Sequence, residues 1–169
     1  MIDYKIYQIA LITIVFSLTS HISRAEFLIS TSHSCLLLDS YYEFLFVDGL
    51  GMLDADIDVA VLGYASMSSD LSMRLVNSAQ EADLLLVDDH IYGIDTFHEV
   101  DMHVCKGYFL SNDAMKIYVS NTSFNNDIVV SVDEDIINQD YKIFIDSDVF
   151  TVKEAVALFA SIWALNRRK

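Results

Sequence analysis

The feature that most constrains this chain is a period. Short alternating apolar runs open at Asp56, Asp70 and Asp83, and again at Ala114, Asp127 and Asp140, at intervals of 13 or 14 residues within each group. Glu43 lies 13 residues before Asp56 and opens a similar run at Phe44 and Phe46. In most units apolar residues follow the opening residue at +1, +3 and +5, and an acidic, amide or hydroxyl cluster closes the unit. Period-two alternation means strands that turn one face inward. A fixed repeat of this kind is the mark of a repeat architecture. The predicted core is therefore Ile57, Val59, Val61; Leu71, Met73, Leu75; Met115, Ile117, Val119; Ile128, Val130, Val132; and Tyr141, Ile143, Ile145. A unit of this length has room for one strand and one reversal.

These units predict an all-β fold, a compact repeat of about 13-residue strand units. The alternative is an α/β domain in which LSMRLVNSAQEA is a helix and residues 56–88 form a βαβ unit. The chain contains no proline, which suits segments that nearly all donate to ladders. The period breaks at residues 89–113 and again at 151–166. In the second place Thr151 and Glu154 form a capping box. Ala155, Val156, Leu158, Phe159, Ile162 and Trp163 then make an apolar helical face expected to dock on the sheet.

The N-terminus reads as a signal peptide over residues 1–25, with Lys5, an apolar run from Ile6 to Thr19, and Ser23 and Ala25 at the positions a peptidase inspects. An uncleaved anchor is the alternative. The remaining 26–169 then form a single domain, secreted or periplasmic. In that compartment Cys35 and Cys105 either form a disulfide or stay as two buried thiols. Closing so long a loop stabilises by roughly 4 kcal/mol in the chain-entropy model.

The unit DYKIFIDSDVFTV at 140–152, with EADLLLVDD, AMKIYVSN and KGYFLSND (106–113), resembles the repeats of the small bacterial septoil-knot proteins. The likeness covers about residues 55–150. It implies a compact β structure whose chain winds into a seven-crossing torus knot. It carries over no functional residues, because that family has no established activity.

Composition excludes several classes of function. Acidic residues number 25 against 10 basic ones, a formal charge of -15. Such a surface repels nucleic acid and anionic membranes, so no nucleic-acid partner and, after signal removal, no strong membrane association are expected. Cations or a basic protein partner fit the charge, which also serves solubility. EADLLLVDDH resembles the acidic start of a phosphoacceptor receiver, but no alternating helices and no late lysine follow it. Asp54, Asp56 and Asp58 imitate a calcium loop, yet Val59 and Ala65 stand where that loop needs Gly and Glu. Asn121-Thr122-Ser123 is a glycosylation sequon, of consequence in a eukaryotic host alone. No nucleophile elbow, phosphate loop or HExxH motif is present.

The one ligand-like constellation is in the loop 89–105: His90, His98, Glu99, Asp101, His103 and Cys105. Imidazole with thiolate suits zinc or copper, and His103 and Cys105 point the same way on a strand. A bridged Cys105 could not serve as a thiolate ligand, so the metal and disulfide readings compete. The chain thus reads as a structural or interaction module without identifiable catalytic chemistry or cofactor. A metal-binding protein using His90, His98, His103 and Cys105 is the alternative.

Overall fold

The computed structural model describes residues 27–32, 42–47, 49, 54–88, 101–107 and 114–167. Among the described residues there are nine strands: β1 Phe27–Ser32, β2 Tyr42–Val47, β3 Ile57–Leu62, β4 Leu71–Leu75, β5 Leu84–Asp88, β6 Met102–Lys106, β7 Met115–Ser120, β8 Ile128–Asp133 and β9 Tyr141–Asp146. The α-helix among the described residues, α1, spans Val152–Arg167. The signal segment 1–25 and most of the loop 89–113 lie outside the described residues.

The strands close into a barrel in the order β1-β5-β9-β4-β8-β3-β7-β2-β6, and every pairing is parallel. No two consecutive strands pair. Each strand is followed by the one two places further round, always in the same sense, so the nine strands make almost two circuits.

This corrects the expected fold class. The units are not strand-plus-reversal repeats in a compact stack; they close into one parallel barrel. The βαβ alternative fails too, because residues 71–75 are strand and β3 pairs with β7 and β8 rather than with β5. The physical reason is reach. A strand of six residues is about 20 Å long, and eight residues in extended form cover roughly 26 Å. A connection such as 63–70 can therefore run back along the barrel's full height instead of turning in place.

The four connections that are described throughout form an outer layer, each crossing the strand that is skipped. Residues 76–83, with a single 3-10 turn at Ala79–Glu81, cross β9. Their Val76, Ala79 and Ala82 pack on Phe144, with Leu28, Leu85 and Val87, as a small outer core. That cover explains the continuous apolar run of β5, whose five residues are all buried: a strand covered on both faces does not alternate. Residues 63–70 cross β8, where Ser66 N donates to Ser131 Oγ at 3.0 Å. Residues 134–140 cross β4, where Ser72 Oγ donates to Asn138 O at 3.2 Å. Residues 121–127 cross β3 and turn at Asn125, whose φ of 56° suits the short polar side chain of asparagine.

The main core lies inside the barrel, and it includes the helix. All fifteen predicted core positions either belong to this cluster or pack against it. Ala155 to Ser161 are seven consecutive buried residues, almost two full turns. A helix buried on every face has walls all round it. Nine strands about 4.8 Å apart, tilted near 40°, enclose a radius of roughly 9 Å. A helix backbone of about 2.3 Å radius leaves roughly 7 Å for side chains from both sides. Only a helix rich in small residues fits, and Ala155, Ala157, Ala160, Ser161 and Ala164 supply them. The expected docking of one apolar face on the sheet is thus corrected to enclosure.

The helix runs against the strand direction. It starts beside the strand C-termini, where Glu154 Oε1 pairs with Lys106 Nζ at 2.7 Å and Lys153 Nζ donates to Asn121 Oδ1 at 2.6 Å. It ends among the strand N-termini, with Trp163 and Arg167 beside Asp70, Asp83 and Asp140.

Candidate functional site

The opening aspartates are built into the rim at the strand N-termini. Each precedes a strand and bonds one residue of a neighbouring strand twice. Asp83 N donates to Lys142 O at 2.9 Å, and Asp83 Oδ2 accepts Lys142 N at 2.8 Å. The same pair of bonds joins Asp56 to Lys116, Asp70 to Val129, Asp101 to Leu28, Asp127 to Asp58 and Asp140 to Ser72. A strand that begins beyond its neighbour's partner leaves an N–H without a ladder acceptor, and the carboxylate supplies it. Removing that acceptor leaves a donor without a partner. Asp83→Ala should therefore lower stability by about 1–2 kcal/mol, while Asp83→Asn, which keeps an oxygen there, should recover most of it. Urea unfolding of the pair measures this. Equal losses would mean that the charge, not the acceptor, matters.

One rim position carries repulsion. Burial first, and the Asp127 carboxylate second, push the Asp58 carboxyl above its ordinary value of 3.8. Its Oδ1 is buried without a hydrogen-bond partner. An acid raised in the fold favours folding below its unfolded pKa, and that contribution is lost as pH rises through the folded pKa. Asp58→Asn should accordingly be more stable than the parent at pH 7, with the difference shrinking as pH falls toward 3.8. Thermal melts of both proteins across that range test the sign.

Parallel barrels commonly place their chemistry at the C-terminal ends of the strands. Here the described part of that end, at β1, β5 and β9, is closed. Asp88, at the end of β5, is 4% exposed. Its carboxylate accepts from Thr31 Oγ1, from Ser147 Oγ at 2.6 Å and from Asp148 N at 2.7 Å. Ser147 Oγ in turn accepts from Val149 N at 3.1 Å and Phe150 N at 3.2 Å. This node holds the turn that directs α1 into the barrel. Beside it Thr151 and Glu154 form the predicted capping box, and Lys106 reaches over the mouth to Glu154. Burial pushes the Glu154 carboxyl up, but Lys106 and the Thr151 N–H and hydroxyl outweigh it and hold the group below its usual range.

The N-terminal mouth is open. Between the starts of β5, β9 and β4 lies a pocket of about 390 Å³ lined by Asp70, Leu71, Asp83, Asp140, Tyr141, Trp163 and Arg167. The three aspartates sit at the heads of adjacent strands. Each spends Oδ2 on a backbone N–H, which fixes its orientation and leaves Oδ1 engaged by no described group. The helix C-terminus adds partial negative charge there. Arg167 does not pair with these carboxylates within 4.0 Å. Its guanidinium lies over the Trp163 ring, 4.2 Å from the centroid. Chemically, the mouth offers acceptors, negative potential and an aromatic platform to a cation.

The sequence marks Asp70, Asp83 and Asp140 only as unit openers and Trp163 as part of the helix face expected to dock on the sheet, so the pocket is not visible in it. The recurrence of aspartate at the opening position was the available signal. The constellation singled out for metal is not assembled among the described residues. His90, His98 and Glu99 lie outside them. Asp101 is a rim cap. His103 and Cys105 share the outer face of β6, with Cys105 buried and disulfide-bonded. The chain's other cysteine, Cys35, lies outside the described residues. Among the described residues no three His, Cys, Asp or Glu groups could hold one metal ion, and no helix is long and apolar enough to cross a membrane. Comparison with family models, with curated proteins and with solved structures finds no match to this chain.

Proposed function

We propose that this protein is a secreted or periplasmic interaction module, without catalytic chemistry of its own, whose barrel mouth receives a cationic group. The observation that carries the reading is the pocket at the β5, β9 and β4 strand heads, with three oriented aspartates and a tryptophan face. A guanidinium or ammonium group enters beside the carboxylates and lies over Trp163, where Arg167 now stands as an internal occupant. The acidic balance of the chain supports the same sign of partner. The disulfide at Cys105 supports an oxidising compartment.

Trp163 is the only tryptophan in the chain, so its emission reports on the site directly. N-acetyl-arginine amide should shift or quench it saturably, and more weakly as salt rises. The citrulline analogue, equal in shape and uncharged, should leave it unchanged. The double variant Asp83→Asn/Asp140→Asn should weaken the response tenfold or more, and Arg167→Ala should strengthen it by clearing the ring. Equal responses to the two amides would overturn the proposal.

A further inference from the structure

The four described outer crossovers are not alike. The crossover 76–83 turns its apolar side chains inward on Phe144. Those over β4, β8 and β3 also present large apolar side chains to solvent: Ile137 is 86% exposed, Met67 fully so, Phe124 81% and Tyr64 59%. The three crossed strands are consecutive around the barrel. Their crossovers therefore lie side by side, over strands that together span only roughly 10 Å. Ile137, Met67 and Phe124 each sit near the middle of a crossover, so they fall in a row across one wall. Exposed apolar groups scattered singly need no explanation, but a row on one face does. Packing does not account for it, because beneath the same crossovers Ile136 is buried while Ile137 beside it points out.

We infer that this wall is a docking surface for a basic polypeptide with an apolar stripe. The choice of occupant follows from charge. Asp127, Asp133, Glu134, Asp135 and Asp140 lie within or at the ends of these crossovers, whereas the only basic side chain on β3, β4, β8 and the three crossovers is Arg74. An apolar row with an acidic rim matches apolar anchors flanked by lysine or arginine. A second copy would bring two acidic rims of a chain carrying -15 together, and an anionic lipid surface is repelled for the same reason. The three crossovers comprise about twenty residues, close to the roughly 20–30 that one side of a standard protein interface uses. The surface shares with the barrel mouth only Asp70 and Asp140, at the ends of two crossovers, and does not depend on the reading of it.

The test uses the full chain and two fluorescein-labelled amphipathic peptides of the same apolar pattern, one with lysine and one with glutamate on the polar face. Fluorescence anisotropy should show salt-sensitive binding of the lysine peptide and none of the glutamate peptide. The triple variant Tyr64→Ser/Phe124→Ser/Ile137→Ser should keep its melting transition, because these side chains are exposed, and should bind the lysine peptide at least tenfold more weakly. Met67→Ser alone should show a smaller loss in the same direction. The mouth variant Asp83→Asn, which touches none of the three crossovers, should bind it within about threefold of the parent, which separates this surface from the pocket. Equal binding by the parent and the triple variant overturns the inference, as does no binding to the parent. A parent that is dimeric by light scattering, with a monomeric triple variant, overturns it in favour of a second copy.

Discussion

Ending the chain after Thr151 should abolish cooperative folding. The residues removed, Val152–Arg167 and the last two positions, include the filling of the barrel rather than a cover for its outside. Val156, Leu158 and Phe159 are each at most 4% exposed, and full burial of such side chains is worth about 1.5–3 kcal/mol apiece. Those three alone approach the whole stability of a typical domain, about 5–15 kcal/mol. Their loss would also bare the inner faces of all nine strands, which the remaining side chains cannot fill across a radius of roughly 9 Å. The truncated chain should show no near-ultraviolet circular dichroism of native shape and no sigmoidal urea transition. A cooperative transition in that protein would mean that the barrel stands without its helix. The graded version is Leu158→Ala, expected to cost about 2–5 kcal/mol through the cavity it leaves.

The second large effect belongs to Asp88. Its carboxylate joins the ends of β1 and β5 to the turn after β9, through Thr31, Ser147 and the Asp148 N–H. Asp88→Ala takes away a buried acceptor that serves three donors and leaves the Thr31 hydroxyl only Val87 O and the Ser147 hydroxyl to turn to. The expected loss is about 3 kcal/mol or more, by the measure of breaking one side of a buried charged network. Asp88→Asn should cost less, because one oxygen remains, but not be neutral, because the amide nitrogen then meets groups already placed to donate. Urea unfolding of both variants decides the point. A loss under about 0.5 kcal/mol for the alanine variant would remove the node from any account of how α1 finds the barrel.

Asp88 also shows how legibility and illegibility sit side by side. In EADLLLVDDH it has the look of a metal-binding acid in a receiver, and the 13-residue period assigned it instead to a closing cluster. Neither view contains its partners, which lie 57 and 59 residues away in the chain. Asp70, Asp83 and Asp140 were legible as unit openers, and the period placed them correctly one residue before their strands. That they cap neighbouring strands, and that three of them meet around Trp163, depends on which strands are neighbours. The capping box at Thr151 and Glu154 was legible because its bonds are local, three residues apart. The enclosure of the helix was not, since Ala155, Val156, Leu158, Phe159, Ile162 and Trp163 suggest a single docking face.

Alternation of Ile57, Val59 and Val61 against Asp58 by itself determined where strands lie and which face turns inward, because a period of two leaves a strand no other way to bury one face. Thr151 with Glu154 determined where the helix starts. Direction and neighbourhood were left to the tertiary structure. A parallel and an antiparallel ladder need the same alternation, so Leu84 could have faced any of several strands before closure set it against Phe27 and Ile143. Closure sets it because nine strands joined by crossovers that each skip one place can satisfy every edge only as a ring, and a ring of that radius is stable only around a helix small enough to enter it.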